Sequence, residues 1–431
     1  MRVGIVGGGV IGLSTAYYLR KLGANPVIIE SSTLGSGCSL GNAGWVFPSL
    51  ATPLPAPGLT LKSLLWLLRR DSPLYIRPAA LPVLAPWLMR FRSFCNHADQ
   101  QRGIAALAAL NAATMERYDE LAADGVQFEY YQSALLMAFR DADLAAAEQK
   151  EVKLAAASGI ANGNPVGGAP GAPPGASTTH PPWRELDEAE LYEREPMLRP
   201  GFRFGLSLGQ DRHLRPESLT GGLGSSLRAG GVEIHQRVKA AGFRTEGHRV
   251  AAIVTSSGDM EVDAVVLAAG AHTGALSRMA GWPIPLTAGK GYSITIEQPA
   301  NQLRQPLYLG GVKIGLSPFN GALRIAGTME LSGINTRMDK ARIRSLRRQV
   351  NLALDIPEIG EGGRDWVGMR PVVPDGLPVI GKLPSRENVY VNTGHQMLGI
   401  TLAPSSGRAL AGLILEGEAG VELEAFSAAR F

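Results

Sequence analysis

The chain has 431 residues, of which 45% are hydrophobic and 19% charged, an ordinary globular balance long enough for two domains. Its 42 basic and 38 acidic residues leave a net charge of only +4, too small to imply a nucleic-acid partner. Two cysteines, Cys38 and Cys95, cannot build a disulfide framework or a cysteine-rich metal site, so no metal is expected and a reducing compartment is the natural home.

The first thirty residues carry the strongest signal. An apolar run from Val3 to Val6 meets Gly7-Gly-Gly9-Val10-Ile11-Gly12, then a helical stretch closed by Gly23, then a second apolar run ending in Glu30. This is the dinucleotide fingerprint in its βαβ setting. Gly7 allows the tight turn, Gly9 lets backbone approach a pyrophosphate, and Gly12 lets the helix pack close to the sheet. Val10 and Ile11 sit at the helix N-terminus, where free N–H groups and the positive dipole end favour phosphate. Glu30 stands where an acid accepts hydrogen bonds from a ribose diol. The fingerprint alone does not separate FAD from NAD.

Residues 35–57 are rich in glycine and proline and predict irregular chain beside the dinucleotide. Residues 59–70 and 81–92 are apolar stretches ending in arginines. They read either as membrane-surface helices or as core helices of a second domain. Residues 104–121 and 142–157 predict alanine-rich helices, and 162–182 a low-complexity exposed loop. Residues 186–198 predict an acidic helix and turn. Strands are expected at 232–238 and 250–255, and a buried strand at 262–267 runs into Ala269-Gly270. Antiparallel strands follow at 291–297 and 307–325, then a basic amphipathic helix at 338–354. From Trp366 the chain reads as loop-rich. A last strand enters Gly394-His395-x-x-x-Gly399-x-Thr401, a turn feeding a helix from about Pro404. Its N-terminus would stabilise negative charge on a bound ring.

No apolar run reaches the ~18 residues that span a bilayer, and a strand starting at residue 2 leaves no room for a signal peptide. A cytoplasmic protein is expected, with residues 59–94 suited to the inner face of the membrane.

Four motifs together carry a resemblance that spans the chain. They are the N-terminal fingerprint, Ser39-x-x-Asn42-Ala43-Gly44, the strand ending Ala269-Gly270-Ala-His272, and the pair Met369-Arg370-Pro371 with Gly394–Thr401. The chain resembles the D-amino acid oxidase superfamily of FAD-dependent oxidoreductases. Asn42-Ala43-Gly44 followed by Pro48, Pro57-Gly58, Lys62 and Trp66 is most similar to the bacterial D-amino acid dehydrogenase small-subunit branch. The glycine- and glyphosate-oxidising branch shares much of the pattern.

The resemblance implies an α/β fold: a Rossmann-like FAD-binding domain of glutathione-reductase type, with an inserted α+β substrate domain built on a mostly antiparallel sheet. The expected division is 1–48, 205–285 and 366–431 for the cofactor domain, and 49–204 and 286–365 for the substrate domain. FAD would lie along Ser39, Asn42, Ala43 and Gly44, with Val238 beside the adenine, Ala269 and Gly270 nearby, and Gly394, His395, Gly399 and Thr401 at the flavin ring. Relatives that tether flavin use a cysteine in the C-terminal motif; neither cysteine lies there, so FAD should be non-covalent. Arg370 would bind the substrate carboxylate, a role that suits a planar, always-charged guanidinium. Its alternative is a structural ion pair with Asp375. Tyr292 would lie near the substrate or pack in the sheet, and His395 would move protons or shape the flavin site. The implied reaction is oxidative deamination of D-amino acids to 2-oxo acids and ammonia, by hydride transfer from Cα to flavin N5. The partners are a small amino acid substrate and an electron acceptor. A quinone fits the dehydrogenase branch; the alternative is an oxygen-using oxidase of glycine, sarcosine or a cyclic amino acid such as D-proline or hydroxyproline. The absence of an arginine before Ser39 favours the dehydrogenase. The oligomeric state is not legible.

Overall fold

A computed structural model describes residues 1–59, 72–157, 183–209, 211–360 and 362–431. All but the first residue of the apolar stretch at 59–70, including Lys62 and Trp66, and the low-complexity loop at 162–182 lie outside the described residues.

The N-terminal fingerprint seeds a six-stranded sheet. Its order is Glu233–Gln236, Asn25–Glu30, Arg2–Val6, Ala264–Leu267, Val389–Thr393, Val379–Lys382. All neighbours pair in parallel except the last two, which are antiparallel. The central strands are continuous apolar runs because both faces are covered. One face packs the helices Val10–Lys21, Pro216–Ala229 and Gly399–Leu415, through Leu13, Leu223 and Leu410. The other packs a three-stranded antiparallel sheet, Ala240–Glu246, Arg249–Thr255 and Gly258–Glu261, through Val250, Ile253 and Val265.

A second, nine-stranded sheet is mostly antiparallel. It runs Arg364–Val372, Thr287–Glu297, Ala322–Leu331, Ile314–Phe319, Leu307–Leu309, Leu135–Phe139, Phe204–Leu208, Trp183–Leu186, with Leu74–Ile76 joining Ala322–Leu331. The amphipathic helix Lys340–Asn351 covers one face, burying Ile343, Leu346 and Val350 against Tyr292, Ile294 and Ile325. The fold is therefore α/β with an α+β second unit, as the motifs imply.

Three local expectations change. The residues after Trp366 are not loop: Arg364–Val372 is a nine-residue strand paired with Thr287–Glu297. Its Gly368 and Pro371 disguise it, and both are tolerated because it is the edge strand. This strand and Phe204–Leu208 also put the expected boundaries at 366 and 205 inside strands of the second sheet. Finally, 104–121 is two helices, His97–Asn111 and Thr114–Ala123.

Candidate active site

The glycine loop lies at the carboxyl ends of the parallel strands, where open α/β sheets bind ligands. Gly7 has φ 117°, and a Cβ there would lie 2.4 Å from the Ala268 carbonyl oxygen. Gly12 is packed harder still, with a Cβ meeting the Gly7 carbonyl oxygen at 1.9 Å. Gly9 differs: a Cβ there would meet only the Ser39 hydroxyl, at 3.5 Å, so its backbone stays approachable. Val10, the first helical residue, donates its N–H to Ser39 Oγ at 3.1 Å, and Ile11 follows it in the first turn. The Glu30 carboxylate closes the same mouth, accepting from the Gly8 N–H at 2.7 Å and the Ser32 N–H at 2.8 Å. Arg237, at φ 60°, turns the chain back so that the Val238 N–H bonds the Glu30 carbonyl. Ala269 and Gly270 follow the next parallel strand, Ala264–Leu267, and Thr393 Oγ1 donates to the Gly270 carbonyl at 3.3 Å, bringing Gly394 alongside.

The second motif is held from outside itself. Asn42 Oδ1 accepts from the Gly44 N–H at 2.7 Å, an Asx turn that suits Gly44 at φ 80°. Ser317 Oγ donates to the Ala43 carbonyl at 2.7 Å. Buried Arg324 donates to the Leu40 and Asn42 carbonyls at 2.9 Å each, to Thr295 Oγ1, and to Glu217 at 2.6 Å. Sequence reasoning missed Arg324. Its signal was an arginine inside the apolar run Ala322-Leu-Arg-Ile-Ala-Gly, where only a paired charge survives burial.

At the C-terminal motif the helix Gly399–Leu415 begins five residues before Pro404, earlier than expected. Pro404 has no N–H for the Ile400 carbonyl, and the buried Tyr118 hydroxyl donates to it instead, at 2.5 Å. Thr401 Oγ1 donates to the Trp45 carbonyl at 3.0 Å and accepts from the Phe47 N–H at 3.3 Å, tying this motif to the second one. His395 is 2% exposed. Its Nε2 meets Ser406 Oγ at 3.1 Å, and its Nδ1 is buried with no partner among the described residues. Burial pushes its pKa down to about 3. The resting ring is therefore neutral, a state suited to shape and hydrogen bonding around a bound group.

Arg370 lies where these segments converge. Its guanidinium lies against Gly291, where a Cβ would fall 2.3 Å from Cζ. Next to it Trp366 fills the space over Gly368 and over Gly41 of the second motif. The Pro371 carbonyl accepts from the Gln396 N–H. Burial pushes the Cys38 thiol up to about 11 while the Arg370 charge draws it down, so the two are within electrostatic reach. Arg370 Nη1 donates to the Thr328 carbonyl at 2.8 Å. Among the described residues no carboxylate pairs with it. Asp375, the alternative ion-pair partner, is bonded instead to Arg430 at 2.5 Å.

Tyr292 is not brought to this place. Strand alternation puts Gly291, Ser293 and Thr295 on the Arg370 face and Tyr292 on the opposite face, under the helix Lys340–Asn351. Its hydroxyl donates to Glu330 Oε2 at 2.5 Å and accepts from the Asp339 N–H at 3.3 Å. Lys290 pairs with the same carboxylate at 2.8 Å, both side chains nearly inaccessible. Tyr292 is a packed sheet residue in a buried polar network.

The family model of the DAO FAD-dependent oxidoreductases matches residues 2–413. The D-amino acid dehydrogenase of Methylobacterium nodulans is 30% identical over 446 aligned positions, covering 100% of this chain and 99% of that one. Among solved structures, glycine oxidase from Geobacillus kaustophilus is similar at TM-score 0.71 and 21% identity, covering 100% of this chain and 99% of that one. L-proline dehydrogenase from P. horikoshii is similar at TM-score 0.73 and 18% identity, covering 100% and 97%.

Proposed function

The chain belongs to the DAO family of FAD-dependent oxidoreductases, and we propose that within it this enzyme deaminates D-amino acids to 2-oxo acids and ammonia. The carrying observation is Arg370: a guanidinium held against Gly291 beside the cofactor loops, with no carboxylate of its own among the described residues. Such a group is poised for a ligand carboxylate, which it can grip through two parallel hydrogen bonds. The full-length similarity to a D-amino acid dehydrogenase supports the substrate class.

The residues present fit FAD. Approachable backbone at Gly9, the start of the helix Val10–Lys21 and the Glu30 acid suit the ADP half. The start of the helix Gly399–Leu415 and the orphaned Nδ1 of His395 suit a polar ring edge. FAD supplies the hydride acceptor when bound. Arg370 would fix the substrate carboxylate and so aim the Cα–H, and orientation is the protein's main contribution. With the Cα–H aimed in this way no side-chain base is required at the carbon, provided the substrate amine reaches the site neutral. Neither cysteine lies in the turn at 394–401, which supports a flavin held without a covalent bond.

We infer a quinone or similar electron acceptor, met at the membrane surface. The helix Leu81–Ser93 anchors Leu84 and Trp87 inward and leaves Leu81, Val83 and Met89 exposed beside Arg90 and Arg92, a pattern that suits a lipid surface. Among the described residues no helix is long and apolar enough to cross a membrane.

The test is an anaerobic flavin-bleaching screen over D-amino acids, glycine and N-methyl amino acids. Bleaching by D-amino acids, with electrons passed to a quinone under nitrogen, is expected. Bleaching only by glycine or N-methyl amino acids, with peroxide formed in air, would replace this reading with the oxidase. Arg370→Ala should lower kcat/KM by a hundredfold or more; a value near wild type would overturn the carboxylate assignment. Binding to anionic liposomes at low salt checks the membrane contact, and full recovery in the unbound fraction would refute it.

A further inference from the structure

The strand Ala322–Leu331 carries a β-bulge opposite the Arg370 site. Tyr292 pairs with Gly327 and Lys290 with Glu330, so Thr328 and Met329 together face the single residue Gly291. Thr328 takes φ 59°, a left-handed conformation that a β-branched residue rarely adopts. Two consequences follow from that one extra residue.

The first concerns Glu330. In a regular ladder Glu330 would share a face with Gly289, Gly291 and Arg370. The bulge shifts it to the other face, where it pairs with Lys290 and Tyr292. The enzyme thereby keeps its nearest strand carboxylate away from Arg370, which stays free for a ligand. The second concerns Thr328 itself. Its carbonyl receives the Arg370 Nη1 hydrogen bond at 2.8 Å, and its own hydroxyl is buried with no partner among the described residues. The Arg370 hydrogen bond to its carbonyl sets Thr328 beside the guanidinium. A strained backbone and an orphaned donor at one residue mark it for function.

We propose that Thr328 is the second half of the carboxylate clamp. Its carbonyl positions the Arg370 guanidinium, and its hydroxyl donates to the substrate carboxylate that Arg370 binds. The inference rests on the Arg370 assignment above and adds a residue to it.

The experiment uses FAD-loaded enzyme and four variants, Thr328→Ser, Thr328→Val, Thr328→Gly and Arg370→Ala. Pyruvate serves as the probe carboxylate, read by perturbation of the flavin absorption spectrum. Thr328→Ser keeps the hydroxyl and should stay within about twofold of wild type. Thr328→Val keeps the shape and should raise both the pyruvate Kd and the amino acid KM about tenfold, with kcat changed less than threefold. Thr328→Gly should show the same rise while Tm holds or increases, because glycine accepts the positive φ without strain. If Thr328→Val does not retain FAD, Thr328→Gly decides alone. Wild-type pyruvate affinity in both hydroxyl-less variants would overturn the proposal, as would a fall in kcat, Tm and KM performance together in Thr328→Gly. If Arg370→Ala also binds pyruvate normally, the Arg370 reading itself fails. If Arg370→Ala loses binding while the Thr328 variants keep it, only the Thr328 inference fails.

Discussion

At the scale of single residues, burial decides what each polar group can do. His395 and Tyr292 both belong to residue types that carry proton chemistry, and burial constrains both. For His395 the consequence is measurable. The unfolded imidazole takes a proton near its ordinary pKa of 6.5, while the folded ring resists protonation down to about 3. As pH falls through that window the unfolded chain binds the extra proton, so the folded state loses about 1.4 kcal/mol per pH unit from this one group. His395→Asn should flatten the acid side of the stability profile, followed by denaturant unfolding between pH 6.5 and 4. The pH dependence of kcat/KM should keep its wild-type shape in that variant, because burial holds the resting ring neutral. A lost acid limb in the rate profile would restore His395 as a proton carrier.

At the scale of elements, sequence pattern and observed structure part company where tertiary contacts replace a local rule. A proline usually marks a helix start, and Pro404 was read that way. The helix runs through it because Tyr118, on the distant helix Thr114–Ala123, supplies the missing donor to the Ile400 carbonyl. Tyr118→Phe should therefore cost about 1–3 kcal/mol, the scale of leaving a buried carbonyl unpaired. On a Pro404→Ala background, where the alanine N–H can reach Ile400, the same substitution should cost distinctly less. A double-mutant cycle by urea denaturation measures the coupling, and additive effects would break the account. The edge strand Arg364–Val372 was illegible for a related reason. Its Gly368 and Pro371 look like breakers, yet Gly368 makes room for Trp366 and Pro371 offers only its carbonyl, to the Gln396 N–H.

At the scale of the molecule, the two sheets must be locked together if a carboxylate bound on one is to meet a cofactor bound on the other. Arg324 is the clearest lock. It stands on the second sheet, grips two carbonyls of the cofactor loop, and pairs with Glu217 on the helix Pro216–Ala229 of the first unit. Arg324→Leu leaves Glu217 only its longer contact to Arg215, at 3.6 Å, and frees the loop. It should destabilise by about 3–5 kcal/mol, as breaking a buried ion pair does, and should weaken FAD retention on gel filtration. Unchanged flavin content would show that the loop holds its shape without this contact.

What the sequence determined alone was everything built from neighbours along the chain. Gly7, Gly9, Gly12 and Glu30 specify their turn, helix start and acid within thirty residues, so local sterics and hydrogen bonding suffice to read them. The alternating strands and the amphipathic helix Lys340–Asn351 were legible for the same reason, through periodicity. What only the tertiary structure decided was which face each side chain takes and who answers each buried charge. Tyr292 turned away from the site, Asp375 went to Arg430 and left Arg370 open, and Arg324 emerged as a lock between units. Thr328 shows why such outcomes hide from sequence. A single extra residue in a strand reverses the faces beyond it, and that register exists only once the partner strand is in place.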